Sequence, residues 1–397
     1  MEYLWLILAG IAAFFVAWNN GSNNAANAIG TVVGAGALSL RRALIVAAVF
    51  DFLGAIIFGQ FVSRTIMKGI VSIELISSYM TVVKGMIAAL LATGIWVLIS
   101  SWLRIPMSIS EGIVGGVVGF GLAIGGSLIR WGTVAIIVTA WVVLPAFSAL
   151  VALALYFVYE RMFKSVKLLP YVVISSMFIM VFSTIFLLMV KTMKLKDILY
   201  VLTVSVGAGI VSVLFMAAYI YGYVRRKVSI DERRELIRLL LIVAAAAMAF
   251  SHGANDVANS AGPLSAVIVA ISYGYIPRVV EISFTALAFA ALGIAIGIVS
   301  WGHRVVETIG ERITTLTYSS AFTAQLAASL SVLILTRLGL PVSTTIAIVG
   351  SVAGVGLARG IKAVNLRVLG RIFLAWFVAF PAVAAMAVMI YYLLTPI

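Results

Sequence analysis

Two polar stretches, NGSNNAANAIG at residues 20–30 and HGANDVANSAG at 252–262, interrupt long apolar runs. In each, two asparagines stand four apart: Asn23 and Asn27 in the first, Asn255 and Asn259 in the second. Residues at that spacing share one helix face, so each pair can aim two amide oxygens at one point. Amide and carboxylate oxygens are hard donors for cations that favour oxygen ligands, and Asp256 adds a carboxylate to the second set. The pattern predicts Na+ held at Asn23, Asn27, Asn255, Asp256 and Asn259. Asparagine also bonds across membrane helices with no ligand present. The matched spacing in two places, beside an ionisable residue at membrane depth, favours the ion site.

A second pair of motifs, PMSIS at 106–110 and PVSTT at 341–345, stands where apolar runs begin. Proline is tolerated at the first helical position, and a nearby Ser or Thr can cap. Each motif therefore reads as the N-terminus of a half-helix with Pro106 or Pro341 at its start. Free N–H groups and the positive end of the helix dipole suit an anion. The hydroxyls of Ser108, Ser110, Ser343, Thr344 and Thr345 add donors. Two such cups facing each other would hold phosphate or sulfate without an arginine clamp. The plainer alternative is ordinary capping of re-entrant hairpins.

The elements that position these motifs must lie in a bilayer. The 397 residues are 64% hydrophobic and 10% charged, with a mean hydropathy of +1.21, beyond what a water-soluble domain tolerates. Continuous apolar runs of roughly 20 residues point to helices, because barrel strands alternate apolar and polar residues. There is no cysteine, so disulfides and thiolate metal sites are excluded. The first apolar run lacks a basic leader and reads as a span. The net charge of +14 sits mostly in short connecting segments, as the positive-inside rule expects; a nucleic-acid partner is not expected.

The chain repeats itself. The two Asn-rich stretches are offset by 232 residues and the two Ser/Thr motifs by 235, with Trp141 matching Trp376. This gives a first repeat at 1–160, two linking helices and a basic loop at 161–235, and a second repeat at 236–397. The basic segments 160–167 and 225–238 should both face the cytoplasm. The halves are then inverted copies with both termini outside, although KTMKLK at 191–196 must lie outside despite its lysines. The expected fold is all-α, with about twelve transmembrane elements. Broken helices and re-entrant half-helices would meet near the midplane, as in secondary transporters. Gly21 and Gly253 would supply unusual backbone angles at the breaks.

Other polar residues carry less. Asp51 reads as a coupling or gating carboxylate, or as the partner of Lys84 or an arginine. Gln325 should face the interior. Glu111 has no counterpart, since Ile346 takes its place. Arg104 and Arg337 should snorkel to the interface, and His252 reads as a satisfied polar residue rather than a proton relay. Ser251 and His252 are adjacent and cannot share a helix face, so an intramembrane enzyme is not expected.

GANDVANSAG, PVSTT and their weaker first copies GSNNAANAIG and PMSIS, doubled across a basic central loop, resemble the inorganic phosphate transporter (PiT) family over almost the whole chain. The resemblance implies a symporter in the cell membrane that imports inorganic phosphate with Na+ and uses no cofactor. It implies cation contacts at Asn23, Asn27, Asn255, Asp256 and Asn259, and phosphate contacts at the Ser/Thr motifs and Gln325. Asp51 and Gln325 stand where relatives often carry Glu, and Asn24 replaces the Asp of the first signature. Fewer protonatable groups lean towards Na+ over H+. H+ coupling and a passive anion channel are the competing readings, and a homodimer is compatible with all three.

Overall fold

The structure, a computed structural model, describes residues 2–62, 69–165, 168–192, 198–224, 230–277, 283–337 and 343–396. Pro341, residues 193–196 of the KTMKLK segment and residues 225–229 of the basic loop lie outside these, as does the side chain of Arg337. The described chain is nearly all helical, and its only β-pairing is an isolated bridge between Val71 and Ile129.

The chain begins with α1 (Glu2–Gly34), α2 (Leu40–Val62), α3 (Tyr79–Trp102), α4 (Ile109–Ala123) and α5 (Trp131–Lys164). Then come α6 (Leu169–Thr192) and α7 (Ile198–Val224). These are followed by α8 (Ile230–Asp256), α9 (Ala258–Tyr273), α10 (Phe284–Trp301), α11 (Tyr318–Arg337), α12 (Thr344–Ala358) and α13 (Leu366–Leu394). Between α10 and α11 a one-turn helix, His303–Glu307, runs into a π-helical turn, Thr308–Arg312. Among the described residues ten spans are long and apolar enough to cross a bilayer, α8 and α9 forming one of them. The two 15-residue helices, α4 and α12, are too short to cross.

Elements pair reciprocally. α1 packs on α10 as α8 packs on α2, and α4 packs on α13 as α12 packs on α5. Small residues allow this closeness, as is usual between membrane helices. A Cβ on Gly115 or Gly119 of α4 would strike the Phe380 or Ala384 carbonyl of α13. At the same 235-residue offset, Gly350 and Gly354 of α12 press on the Pro145 and Ala149 carbonyls of α5. Each half-helix therefore packs against the last helix of the other half.

Two expectations are corrected here. The first polar stretch does not break its helix: α1 runs unbroken through residues 20–30. At its start Asn19 and Ser22 fold back onto the helix, Asn19 Nδ2 donating to the Phe15 carbonyl at 2.8 Å and Ser22 Oγ to that of Asn19 at 3.0 Å. In the second stretch the helix is interrupted only at Val257, which keeps helical angles of φ −56° and ψ −28°. Gly21 and Gly253 have no positive φ. They admit a neighbouring backbone instead, since a Cβ would overlap the Ile294 carbonyl at Gly21 and the Asp51 carbonyl at Gly253.

Second, Pro106 is not the first helical residue. The N-cap of α4 is Ser108, whose side chain accepts the Glu111 N–H at 3.3 Å. Pro106 lies in the extended approach, where its carbonyl accepts Trp376 Nε1 of α13 at 2.9 Å. Ser343 caps α12 in the same way, accepting the Ile346 N–H at 3.4 Å.

Candidate functional site

The polar stretch of α1 and its counterpart across α8 and α9 cross in the protein centre, where Asn20, Asn23, Asn24, Asn27, Asp256 and Asn259 are all buried. Asn24 and Asp256 occupy equivalent places at the 232-residue offset, and Asn24 Nδ2 donates to Asp256 Oδ2 at 3.2 Å. Asn24 also donates to Asn20 Oδ1 at 3.0 Å, and Asn20 donates to the Asp256 carbonyl at 3.2 Å.

His252 Nε2 lies 3.2 Å from the same Asp256 Oδ2, an ion-pair contact without hydrogen-bond geometry. His252 Nδ1 lies 2.7 Å from Asp51 Oδ2, brought in by α2. All three side chains are buried, so the order acid, imidazole, acid is sealed from water. This corrects the reading of Asp51, whose partner is neither Lys84 nor an arginine: Lys84 donates to the Thr395 carbonyl at 3.2 Å. His252 is the residue that the motif reading undervalued. Its i,i+4 relation to Asp256 was visible in the sequence; its pairing across 201 positions with Asp51 was not.

The half-helix termini join this centre. Thr345, in the first turn of α12, accepts Asn27 Nδ2 at 2.8 Å and lies 3.4 Å from Asn24 Oδ1 and 3.5 Å from the Met107 carbonyl. Met107 is the residue before the N-cap of α4, so the starts of α4 and α12 are neighbours. Asn23 clamps the approach to α4, accepting the Met107 N–H at 2.7 Å and donating to Ser101 Oγ at 2.9 Å and the Ile105 carbonyl at 3.1 Å. Ser108, Ser343 and Thr344 are buried and Ser110 is half-buried at the same two termini. Before α4, Arg104 adopts φ 60°, with its carbonyl held by Thr308 Oγ1 at 2.8 Å and its side chain half exposed beside Glu307.

Several buried atoms at this centre have no hydrogen-bond partner among the described residues: Asn27 Oδ1, both side-chain atoms of Asn259, Gln325 Oε1 and Glu111 Oε2. A buried polar atom without a partner is costly, and these oxygens are donors of the kind that hard cations take. Asn255 donates to Asp256 Oδ1 at 2.9 Å. Gln325 is turned towards α1: its Nε2 donates to the Ala28 carbonyl at 2.7 Å and to Thr31 Oγ1 at 2.9 Å. No group of three or more His, Cys, Asp or Glu among the described residues is arranged to hold a metal ion, so the donors are chiefly amides and hydroxyls.

Long apolar helices, a buried polar centre and converging half-helix termini are the marks of a secondary transporter. The chain belongs to the phosphate transporter family, whose model matches residues 20–387. A protein of Pyrococcus abyssi is 36% identical over 400 residues, covering 98% of each chain, and one of Thermococcus kodakarensis is 35% identical over 405 residues, again covering 98% of each; both bear the name "Putative phosphate permease". The solved structure titled "The sodium-dependent phosphate transporter" superposes with a TM-score of 0.91 at 36% identity, covering 99% of this chain and all of that one. The protein is thus a multi-pass membrane transporter and not an enzyme.

Proposed function

We propose that this chain is a symporter that imports inorganic phosphate with Na+. The observation that carries the reading is one continuous polar chain: Asp51, His252, Asp256, Asn24, Thr345 and Asn27, with no link longer than 3.4 Å, all hydrogen bonds except the His252–Asp256 ion-pair contact. It joins the carboxylate end, suited to cations, to a half-helix terminus suited to an oxyanion. Cations would sit at Asp256, Asn255 and Asn259, with Asn23 and Asn27 on the other copy. Phosphate would sit between the starts of α4 and α12, on the N–H groups that the first turn of any helix leaves free, with Ser108, Ser110, Ser343, Thr344 and Thr345 around it. Gln325 would hold α1 in register with α11. The two halves would be inverted repeats spanning 1–160 and 236–397, with both termini outside the cell membrane. The Na+ dependence named for the structural relative supports the coupling ion.

Symport requires that bound cations favour the closed, loaded carrier, since a ligand shifts an equilibrium only through its differential affinity. Thr345 is placed for this, as it touches an amide of the cation set and begins the anion cup. A second reading has a specific basis: Asp51–His252–Asp256 is also a path along which a proton can be held, so H+ could replace Na+. Uptake of radiolabelled phosphate into proteoliposomes separates the two. Accumulation driven by an inward Na+ gradient at uniform pH is expected. Accumulation that needs a pH gradient and proceeds equally with K+ would reject Na+ coupling, and equilibration without accumulation would indicate a channel.

A further inference from the structure

At the end of α1, away from the polar centre, a cavity of about 370 Å³ opens between the α1–α2 connection, the first turns of α8 and the start of α11. Arg42, Arg234 and Arg238 line it, together with Glu235, Ser39 and Tyr318. Three guanidinium groups face one carboxylate. Arg238 engages that carboxylate, with Nη1 at 2.8 and 3.0 Å from the Glu235 oxygens, and fixes the loop through Nε to the Ala37 carbonyl at 2.7 Å. Arg234 lies over the Tyr318 ring at 5.2 Å, and neither it nor Arg42 makes an ion pair with a described residue. Arg42 is also in the first turn of α2, which holds no acidic residue. A cation there opposes the positive end of the helix dipole, an arrangement that a bound anion relieves.

We infer that this cavity binds a phosphoryl group, carried either by an anionic lipid headgroup or by free phosphate near the transport path. Its chemistry is that of phosphate recognition by arginine: fork-shaped donors, a helix N-terminus and a hydroxyl-bearing rim. The position suits both sources. Basic pockets between membrane helices take anionic headgroups, and Tyr318 begins the helix that carries Gln325. The inference is independent of the ion that drives transport.

The full chain is purified with Arg42→Ala and Arg234→Ala combined, and beside it a control with Arg367→Ala and Arg371→Ala, which removes the same charge from an exposed stretch of α13. Retention of phosphatidylglycerol is read by native mass spectrometry, and binding of inorganic phosphate by equilibrium dialysis in phosphatidylcholine nanodiscs. If the source is lipid, phosphatidylglycerol retention falls about tenfold in the pocket variant and not in the control. If it is free phosphate, the pocket variant loses one class of phosphate sites and keeps the class at the transport centre. No change in either measurement, or an equal loss in the control, overturns the inference. Should the double variant fail to fold, Arg42→Gln alone is read in the same two assays, with a smaller loss expected and an unchanged result equally contrary.

Discussion

The two copies of the Asn-rich stretch are alike in sequence and opposite in state. In the first, side-chain donors are taken up by protein: Asn23 clamps the approach to α4, Asn24 bridges to Asp256, and Asn27 reaches Thr345. In the second, Asn259 is the equivalent of Asn27 and Ser110 the equivalent of Thr345, yet both side-chain atoms of Asn259 lack a partner among the described residues. The His252–Asp256 pair likewise replaces the neutral Asn20–Asn24 pair with titratable groups. The first copy thus links helix starts through its donors and leaves only amide oxygens such as Asn27 Oδ1 unpartnered among the described residues, whereas the second carries the titratable groups and an asparagine, Asn259, with neither side-chain atom partnered.

The largest effect should come from the Asn24–Asp256 contact. Asp256→Asn makes the copies alike by removing the carboxylate, and phosphate uptake should fall by at least about tenfold with Na+ dependence flattened, because an ionisable residue at membrane depth persists only for function. Asn24→Asp makes them alike in the other sense, setting two carboxylates within hydrogen-bond reach; a steeper Na+ requirement in the same assay is expected. Next, Thr345→Val cuts the made contact, and Ser110→Ala alters its unmade equivalent. The half-saturation for phosphate should rise about tenfold for Thr345→Val, roughly the loss of one hydrogen bond to a polar partner, and clearly less for Ser110→Ala.

A smaller contrast lies in stability. Asn23→Ala strands the buried Met107 N–H and should destabilise the protein by about 1–3 kcal/mol, seen as a lower Tm in detergent. Asn259→Ala removes atoms that have no partner among the described residues, so Tm should hardly move while Na+ affinity weakens. If Asn259→Ala proves the more destabilising of the two, scaffold and site have been assigned to the wrong copies.

Much of this was legible in the residues. The long apolar spans, the doubled motifs and the presence of half-helix starts at 106–110 and 341–345 follow from run length, offset and hydroxyl placement, but not which residues cap them: Ser108, two residues past Pro106, caps the first. The continuity of α1 did not, because a Gly- and Asn-rich stretch favours a break until its side chains find carbonyls on their own helix and a neighbouring backbone slides over Gly21. Nor did the Asp51–His252 pair, since only the packing of α2 on α8 joins positions 201 apart. The arginine cavity was hidden for the same reason: Arg234 and Arg238 read as an orienting loop until α1, α2 and α11 gathered around them.

The central claim is that cation and anion sites communicate through Thr345. Linkage makes this measurable, since each ligand must change the other's affinity by the same factor. Equilibrium binding of phosphate at several Na+ concentrations, and of Na+ with and without phosphate, should give one shared factor above about fivefold that Thr345→Val reduces to near unity. Independent binding of the two ions in the unaltered protein would contradict the account.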